Sequence, residues 1–423
     1  MKPLIEPTAV PPSSLVRRLG PGLITGAADD DPIGIATYSQ VGAQFGYGLA
    51  WTMLFSLPFM IVIQEISGRI GCVTGHGIAD NLRRHYHPWL VRSIVALLLV
   101  ANTINLGADL GAMGAALRLL IGGSARLYTV AFGILCVVAE VFLSYAVYAG
   151  FLKWLTLSLF AYVAVVFAVH VPWDRALLAT LVPHLSLDHD QAMALVAVLG
   201  TTISPYLFFW QSSLEVEDRL SRGALPLRLT PKLAAPQFKR IRTDTVVGMG
   251  VSNLIAICII YATAATLHET GVTDIQTSSQ AAEALRPIAG ELTFFVFAAG
   301  IVGTGLLAVP ILAGSGAYAL SEAFSWREGL DRRLLQAKSF YATIAVSTMA
   351  GIGLNFTSLD PVKALYWSAV VNGVLAAPVM AAIMLVAGNG RIMGRLALSA
   401  PMLAAGWVAA LVMLAASIGF FVL

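Results

Sequence analysis

Gly20-Pro21-Gly22-Leu23-Ile24-Thr25-Gly26-Ala27-Ala28-Asp29-Asp30-Asp31-Pro32-Ile33-Gly34-Ile35-Ala36-Thr37 governs how the rest of the chain is read. Its ends are apolar, and its middle sets three consecutive aspartates against a proline. The 423 residues around it are 58% apolar and 12% charged, with a mean hydropathy of +0.80. Soluble domains carry about 25% charged residues, and a core of this size cannot hide so much apolar surface. The chain belongs in a bilayer. There, an aspartate at mid-span costs roughly 2.5–3.5 kcal/mol, so three cost on the order of 10 kcal/mol in a lipid-facing helix. Such a segment persists only where its backbone is unwound inside protein and a cation meets the charge. Pro32 removes one donor and disfavours helix at Asp31, and Gly34 relaxes the chain just after it. Carbonyls such as that of Ala28 then become oxygen ligands, with Asp31 the leading carboxylate.

Outward from this stretch, apolar runs of about 20 residues give eleven spans: 20–40, 48–71, 92–121, 127–147, 151–172, 191–214, 244–267, 292–321, 338–355, 362–388 and 397–422. An odd number puts the termini on opposite faces. With the N-terminus inside, all of the 26 Lys and Arg residues lie on the inner side except Arg118, Arg126, Arg175, Arg286 and Lys363. The positive-inside rule therefore predicts a cytoplasmic N-terminus and an extracytoplasmic C-terminus. Met1 to Ser14, polar and proline-bearing, reads as a cytoplasmic tail rather than a secretory signal. The basic stretch 215–243, with Pro226, Pro231 and Pro236, reads as a connector held at the lipid surface by charge.

A net charge of +3 is too small for a nucleic-acid partner. Cys72, Cys136 and Cys258 are spaced too widely for a metal pair or a disulfide framework. Soluble enzyme, nucleic-acid binder and disulfide-rich secreted scaffold are excluded. The expected contacts are the bilayer and a small cation, with no resident cofactor and no obligatory protein partner.

The sixth span repeats the device in Gly200-Thr201-Thr202-Ile203-Ser204-Pro205-Tyr206-Leu207-Phe208-Phe209-Trp210. Interruptions in the first and sixth of eleven spans point to an inverted five-plus-five repeat whose site is built at mid-membrane by discontinuous helices. This predicts an all-α integral membrane protein with one transport domain over 1–423. Its repeats run over 20–172 and 191–388, and an added helix covers 397–422. Carboxylate, carbonyl and hydroxyl oxygens suit hard ions such as Mg²⁺, Ca²⁺ or Mn²⁺. An organic cation against Tyr206, Phe208 and Trp210 is a further reading. Thr202, Tyr206 and Gly34 are expected to line the pocket. Asn372, in the tenth span, offers either an oxygen from the opposite wall or an interhelical hydrogen bond.

These stretches resemble a known family. Asp31-Pro32-Ile33-Gly34-Ile35-Ala36-Thr37, followed by Gly42-Ala43-Gln44-Phe45-Gly46-Tyr47, is similar to the first helix of the natural resistance-associated macrophage protein (Nramp) superfamily. Gly71 to Gly75 after Gln64, and Ser204-Pro205-Tyr206 running into Gln211-Ser212-Ser213-Leu214, fit it as well. The resemblance covers most of spans one to ten. It implies the LeuT-type fold and a metal site of Asp31, the Ala28 and Thr201 carbonyls and Ser204, with Asp30 holding the ion's water shell.

The departures narrow the expectation. The family's first-helix motif Asp-Pro-Gly-Asn has Gly34 at its Asn position, and its sixth-helix Met-Pro-His has Ser204 for Met and Tyr206 for His. Loss of the thioether makes the site harder, and loss of the Asn roomier, which suits a partly hydrated Mg²⁺. The pattern is similar to the Nramp-related magnesium transporter branch. In the third span Asp109 remains, while Asn102 and Ala112 stand where the family carries glutamates, leaving Asp109 as a residual proton path. The resemblance thus implies a secondary transporter and not an enzyme. It would take Mg²⁺, and also Mn²⁺, across a bacterial plasma (inner) membrane by alternating access, driven by the membrane potential rather than by protons. The alternatives are a proton-coupled Mn²⁺/Fe²⁺ transporter, then an organic-cation or amino-acid symporter of the same fold. An intramembrane aspartyl protease is disfavoured because Gly107-Ala108-Asp109 lacks Gly-x-Gly-Asp.

Overall fold

The computed structural model describes residues 25–26, 28–142, 159–186, 188–330, 332–357 and 360–423. The expected N-terminal tail, the start of the first span and the junction of the fourth and fifth spans lie outside them. Asp31 and Pro32 break the first span as their chemistry requires. Asp31 is extended (φ −72°, ψ 172°), and its side chain accepts from the Gly34 N–H at 2.7 Å to cap α1 (Pro32–Phe45). A cap of this kind contributes about 1 kcal/mol. Proline is favoured at this position because its missing N–H is one the helix would leave unpaired.

The chain then forms α2 (Trp51–Thr74), a short α3 (Ile78–His85), α4 (Pro88–Ile121) and α5 (Ala125–Phe142). Next come α6 (Phe160–Ala168) and α7 (Trp173–Leu181). The sixth span is two helices, α8 (His189–Thr202) and α9 (Pro205–Ser221), separated by Ile203 and an extended Ser204. Beyond it lie α10 (Ala234–Thr263), a short α11 (Ser278–Glu283), α12 (Thr293–Phe324), α13 (Lys338–Leu354), α14 (Pro361–Ala387) and α15 (Ala400–Val422).

Eight segments among the described residues are long and apolar enough to cross a bilayer, and they coincide with the second, third, fourth, sixth, seventh, eighth, tenth and eleventh expected spans. The ninth, α13, has 17 residues and is about 26 Å long at 1.5 Å per residue. The broken first span lies at the centre, with α1 packed between α8, α10 and α14. Around it α9 packs on α2, α8 on α14, and α12 along α4. The breaks are held by close backbone approach. A Cβ on Gly26 would lie 2.3 Å from the Gly248 carbonyl carbon of α10, and one on Gly200 would lie 2.1 Å from the Ala369 oxygen of α14.

The basic connector expected over 215–243 is mostly helix. α9 runs on to Ser221 and α10 starts at Ala234, so only 222–233 joins them. Hydropathy misjudges this stretch because some of its charges are paired within the protein. Arg222 meets Asp218 at 2.7 Å, Arg240 meets Asp244 at 3.4 Å, and Arg240 also pairs with the fully buried Glu215. The connector rests on protein too, because the Leu227 and Arg228 N–H groups donate to Cys72 and Val73 carbonyls at the end of α2, each at 3.0 Å.

Candidate functional site

Two broken helices bring helix ends together, and their oxygens converge there. The Tyr206 hydroxyl, on the first turn of α9, lies 3.1 Å from the Ala28 carbonyl and 3.2 Å from Asp31 Oδ2. The other Asp31 oxygen is engaged by Gly34. Ala28, Asp31, Thr201, Ser204 and Tyr206 are each at most 3% exposed, so the site is closed to both faces.

On the sixth-span side the expected ligands face each other. The Ser204 hydroxyl donates back to the Thr201 and Gly200 carbonyls (2.9 and 3.0 Å) instead of capping α9. Thr202 Oγ1 likewise donates to the Val198 carbonyl at 3.0 Å, a habit of hydroxyl residues in membrane helices. Thr201 and Ser204 therefore sit at the break with their expected ligand oxygens bound to each other.

Two expectations need correction. Gly34 does not enlarge the closed pocket. A Cβ there would lie 3.2 Å from both the Asp29 carbonyl and Thr201 Oγ1 and 3.3 Å from Tyr38 Cε2, so neighbours have filled the space a side chain would take. Asp30 does not turn to the Asp31 side; its Oδ1 meets Ser252 Oγ of α10 at 3.0 Å. Of the two readings of Asn372, the structure has the interhelical hydrogen bond: its oxygen accepts from Asn105 Nδ2 of α4 at 3.0 Å. Asp109, on α4, is fully buried and neither of its carboxylate oxygens has a hydrogen-bond partner.

Among the described residues no three His, Cys, Asp or Glu side chains converge as a ready-made cage. A cation here would be held by a mixed set of one carboxylate, carbonyls and hydroxyls. Sequence reasoning missed Ser252 and Asn105. Their signal was a polar side chain inside an otherwise apolar span, which in membranes marks an interhelical contact or a pathway.

Polar contacts tie the elements together on either side of the site. On the side of the α9–α10 connector, Thr25 Oγ1 donates to Gln211 Oε1 at 2.7 Å, and Gln211 Nε2 donates to Glu215 Oε1 at 3.3 Å. Cys72 Sγ adds a 3.1 Å contact to Glu215. On the opposite side, Gln40 of α1 accepts from the Ile275 N–H at 2.9 Å, and His268 Nδ1 donates to the Ala43 carbonyl at 2.8 Å.

Comparison with known proteins agrees with this architecture. Residues 22–423 match the family model described as natural resistance-associated macrophage protein-like. The chain is 28% identical over 394 residues to a divalent metal cation transporter MntH of Acidiphilium cryptum, covering 89% of this chain and 84% of that one. It is 25% identical over 409 residues to the protein of the same description in Klebsiella pneumoniae, covering 92% and 90%. Among solved structures, the Eremococcus coleocola manganese transporter in complex with an aromatic bis-isothiourea compound superposes with a TM-score of 0.75 at 15% identity, over 97% of this chain and 88% of that one. MHP1, a nucleobase-cation-symport-1 family transporter in a closed conformation, gives 0.56 at 14% identity, over 94% and 92%. The LeuT-type fold expected from the two breaks is the fold observed.

Proposed function

The chain belongs to the natural resistance-associated macrophage protein-like family, and on that premise we propose that it moves divalent metal ions by alternating access, with Mg²⁺ as preferred cargo and Mn²⁺ as a second. The observation that carries this reading is the pairing of Asp31 Oδ2 with the Ala28 carbonyl about one hydroxyl at the junction of two broken helices. With Thr201 and Ser204 the donor set is oxygen alone, and hard oxygen donors suit Mg²⁺ and Mn²⁺. Because Gly34 adds no room in the closed form, the preference for Mg²⁺ rests on donor hardness. Relatives described as divalent metal cation transporters support the cargo class.

The cargo enters the cytoplasm partly hydrated, with the N-terminus cytoplasmic and the C-terminus outside a bacterial plasma membrane. An inside-negative potential contributes about 2.3 kcal/mol per charge per 100 mV, doubled for a divalent ion, so uptake needs no proton. The second reading, proton-coupled Mn²⁺ transport, is favoured by Asp109, which is buried without a hydrogen-bond partner.

The test is flux into proteoliposomes, with internal Mg²⁺, Mn²⁺ and pH dyes and an Asp31→Ala control. Mg²⁺ entry without acidification, abolished in the variant, is the expected result. Mn²⁺ entry with acidification and no Mg²⁺ flux would overturn both the preference and the driving force.

A further inference from the structure

The connector between α9 and α10 carries positive charge that neither the cargo site nor the protein around it uses. From Arg219 to Thr243 the chain has seven Lys and Arg residues and no Asp or Glu, and no acid follows Asp360. Arg222 and Arg240 are paired. None of the ion pairs among the described residues involves Arg228, Lys232, Arg391 or Arg395, and all four are exposed. The fold brings two of these arginines to one corner. Arg228 is fixed by its N–H bond to Val73 at the end of α2. Its side chain then crosses the turn between α14 and α15, where a Cβ on Gly394 would lie 3.5 Å from Arg228 Cγ. Arg395 is the next residue of that turn. Arg391, in the same turn, and Lys232, four residues along the connector from Arg228, flank the pair.

We propose that Arg228 and Arg395, flanked by Lys232 and Arg391, form a docking surface for the headgroups of anionic phospholipids. The depth is right for it. The connector and the turn at 388–399 each join two segments long enough to cross a bilayer, which puts both at the level of the headgroups. Trp89, 69% exposed, stands on the neighbouring corner, where the Tyr86 hydroxyl donates to the Leu385 carbonyl near the end of α14 at 2.7 Å. Exposed tryptophan is a mark of the membrane–water interface. The apolar side chains agree. Leu227 is fully buried and pins the connector, whereas Leu225, Leu229 and Leu233 are each at least 50% exposed. Cations beside exposed leucines make an interfacial anchor: the leucines enter the acyl boundary and the charges meet anionic headgroups. Charge complementarity selects the lipid, because no carboxylate in either loop competes with its phosphate. Docking there ties the connector, and with it the adjoining ends of α9 and α10, to the membrane surface.

The test is native mass spectrometry of the purified full-length protein in detergent, titrated with dioleoyl phosphatidylglycerol or dioleoyl phosphatidylcholine. Phosphatidylglycerol should bind at least tenfold more tightly. A Lys or Arg near the membrane surface contributes about a fivefold change in affinity. Arg228→Gln/Arg395→Gln therefore weakens phosphatidylglycerol about twentyfold and removes the preference, with monodisperse elution checking that the variant is folded. Arg327→Gln/Arg333→Gln removes as much charge from the loop between α12 and α13, and should keep the preference. Glycerol phosphate in large excess should leave the bound lipid in place. Equal affinity for the two lipids would overturn the proposal, as would a preference that survives in folded Arg228→Gln/Arg395→Gln or is lost in Arg327→Gln/Arg333→Gln. Displacement by glycerol phosphate would assign the arginines to a soluble phosphate, and would overturn membrane docking as well.

Discussion

Replacing Tyr206 with Phe should tighten metal binding. The hydroxyl oxygen is nearly equidistant from the Ala28 carbonyl and Asp31 Oδ2, at 3.1 and 3.2 Å. That is the position from which an ion would bridge the same two atoms at 2.0–2.6 Å. Cargo and hydroxyl thus compete, and entry of the ion costs the hydrogen bond that Tyr206 donates to a buried carboxylate. A hydrogen bond to a charged group contributes about 1.5–3 kcal/mol, and each 1.4 kcal/mol is a factor of ten in affinity. Tyr206→Phe therefore lowers the dissociation constant by about ten- to hundredfold for Mg²⁺ and Mn²⁺ alike, since the hydroxyl does not distinguish them.

Isothermal titration of the purified variant measures the affinity directly. A thermal melt gives an independent reading. The ion-free variant melts below the wild type because two buried acceptors have lost their donor, and saturating ion raises its midpoint by more than it raises that of the wild type. An unchanged or weaker affinity would refute the argument. The hydroxyl would then be a support that holds the ligands in place for the ion, and not its rival.

Other expected outcomes follow from burial and close contact. Gly26→Ala should abolish transport, because its Cβ meets Gly248 backbone at 2.3 Å with no side chain to give way; Gly250→Ala, whose Cβ meets nothing within 4 Å, should be neutral or slightly stabilising in the same flux assay. Arg240→Met leaves Glu215 buried and unpaired, and loses about 3–5 kcal/mol of unfolding free energy in a denaturant titration; adding Glu215→Leu should recover most of it. Burial, together with facing Glu322, Asp80 and Glu217, pushes Glu328 in the loop after α12 up to about 10. The folded protein then holds a proton that the unfolded chain releases near the ordinary carboxylate range, so stability falls as pH rises from about 4.5 toward 10. Glu328→Gln removes that dependence, and its melting advantage over the wild type should widen from pH 5 to pH 9; a constant difference would refute the assignment.

The breaks were legible because each is a compositional contradiction: ionised or hydroxyl side chains against a proline, inside a run that is otherwise apolar. Proline also fixed the restart, since α1 begins at Pro32 and α9 at Pro205. What the sequence concealed is direction. Neighbouring aspartates diverge at an unwound turn, and the partner of Asp30 lies 222 residues away on α10, beyond any local spacing rule. The filled space at Gly34 depends in the same way on Thr201, which reaches it from the other broken helix. The helical ends of α9 and α10 were hidden for a different reason. Hydropathy counts Arg240 and Glu215 as solvent-facing charges, whereas tertiary pairing buries them together.

Under the proposed alternating-access reading, the closed site also accounts for how the empty carrier returns. Its ligands are not left bare: Ser204 satisfies Thr201, Tyr206 satisfies Ala28 and Asp31, and Asn105 satisfies Asn372. Each internal bond must break before its oxygen can serve an ion, at a net cost of about 0.5–1.5 kcal/mol for a neutral pair. These costs lower the affinity and so favour release. They also stabilise the occluded empty state through which the carrier resets. Asp29 and Asp109 stand outside this arrangement, with buried oxygens that nothing in the resting protein satisfies. A buried carboxyl without a partner is held neutral by a proton or balanced by a cation, so under the proposed transport reading a cation or proton that accompanies the cargo is expected at these carboxylates rather than at Asp31.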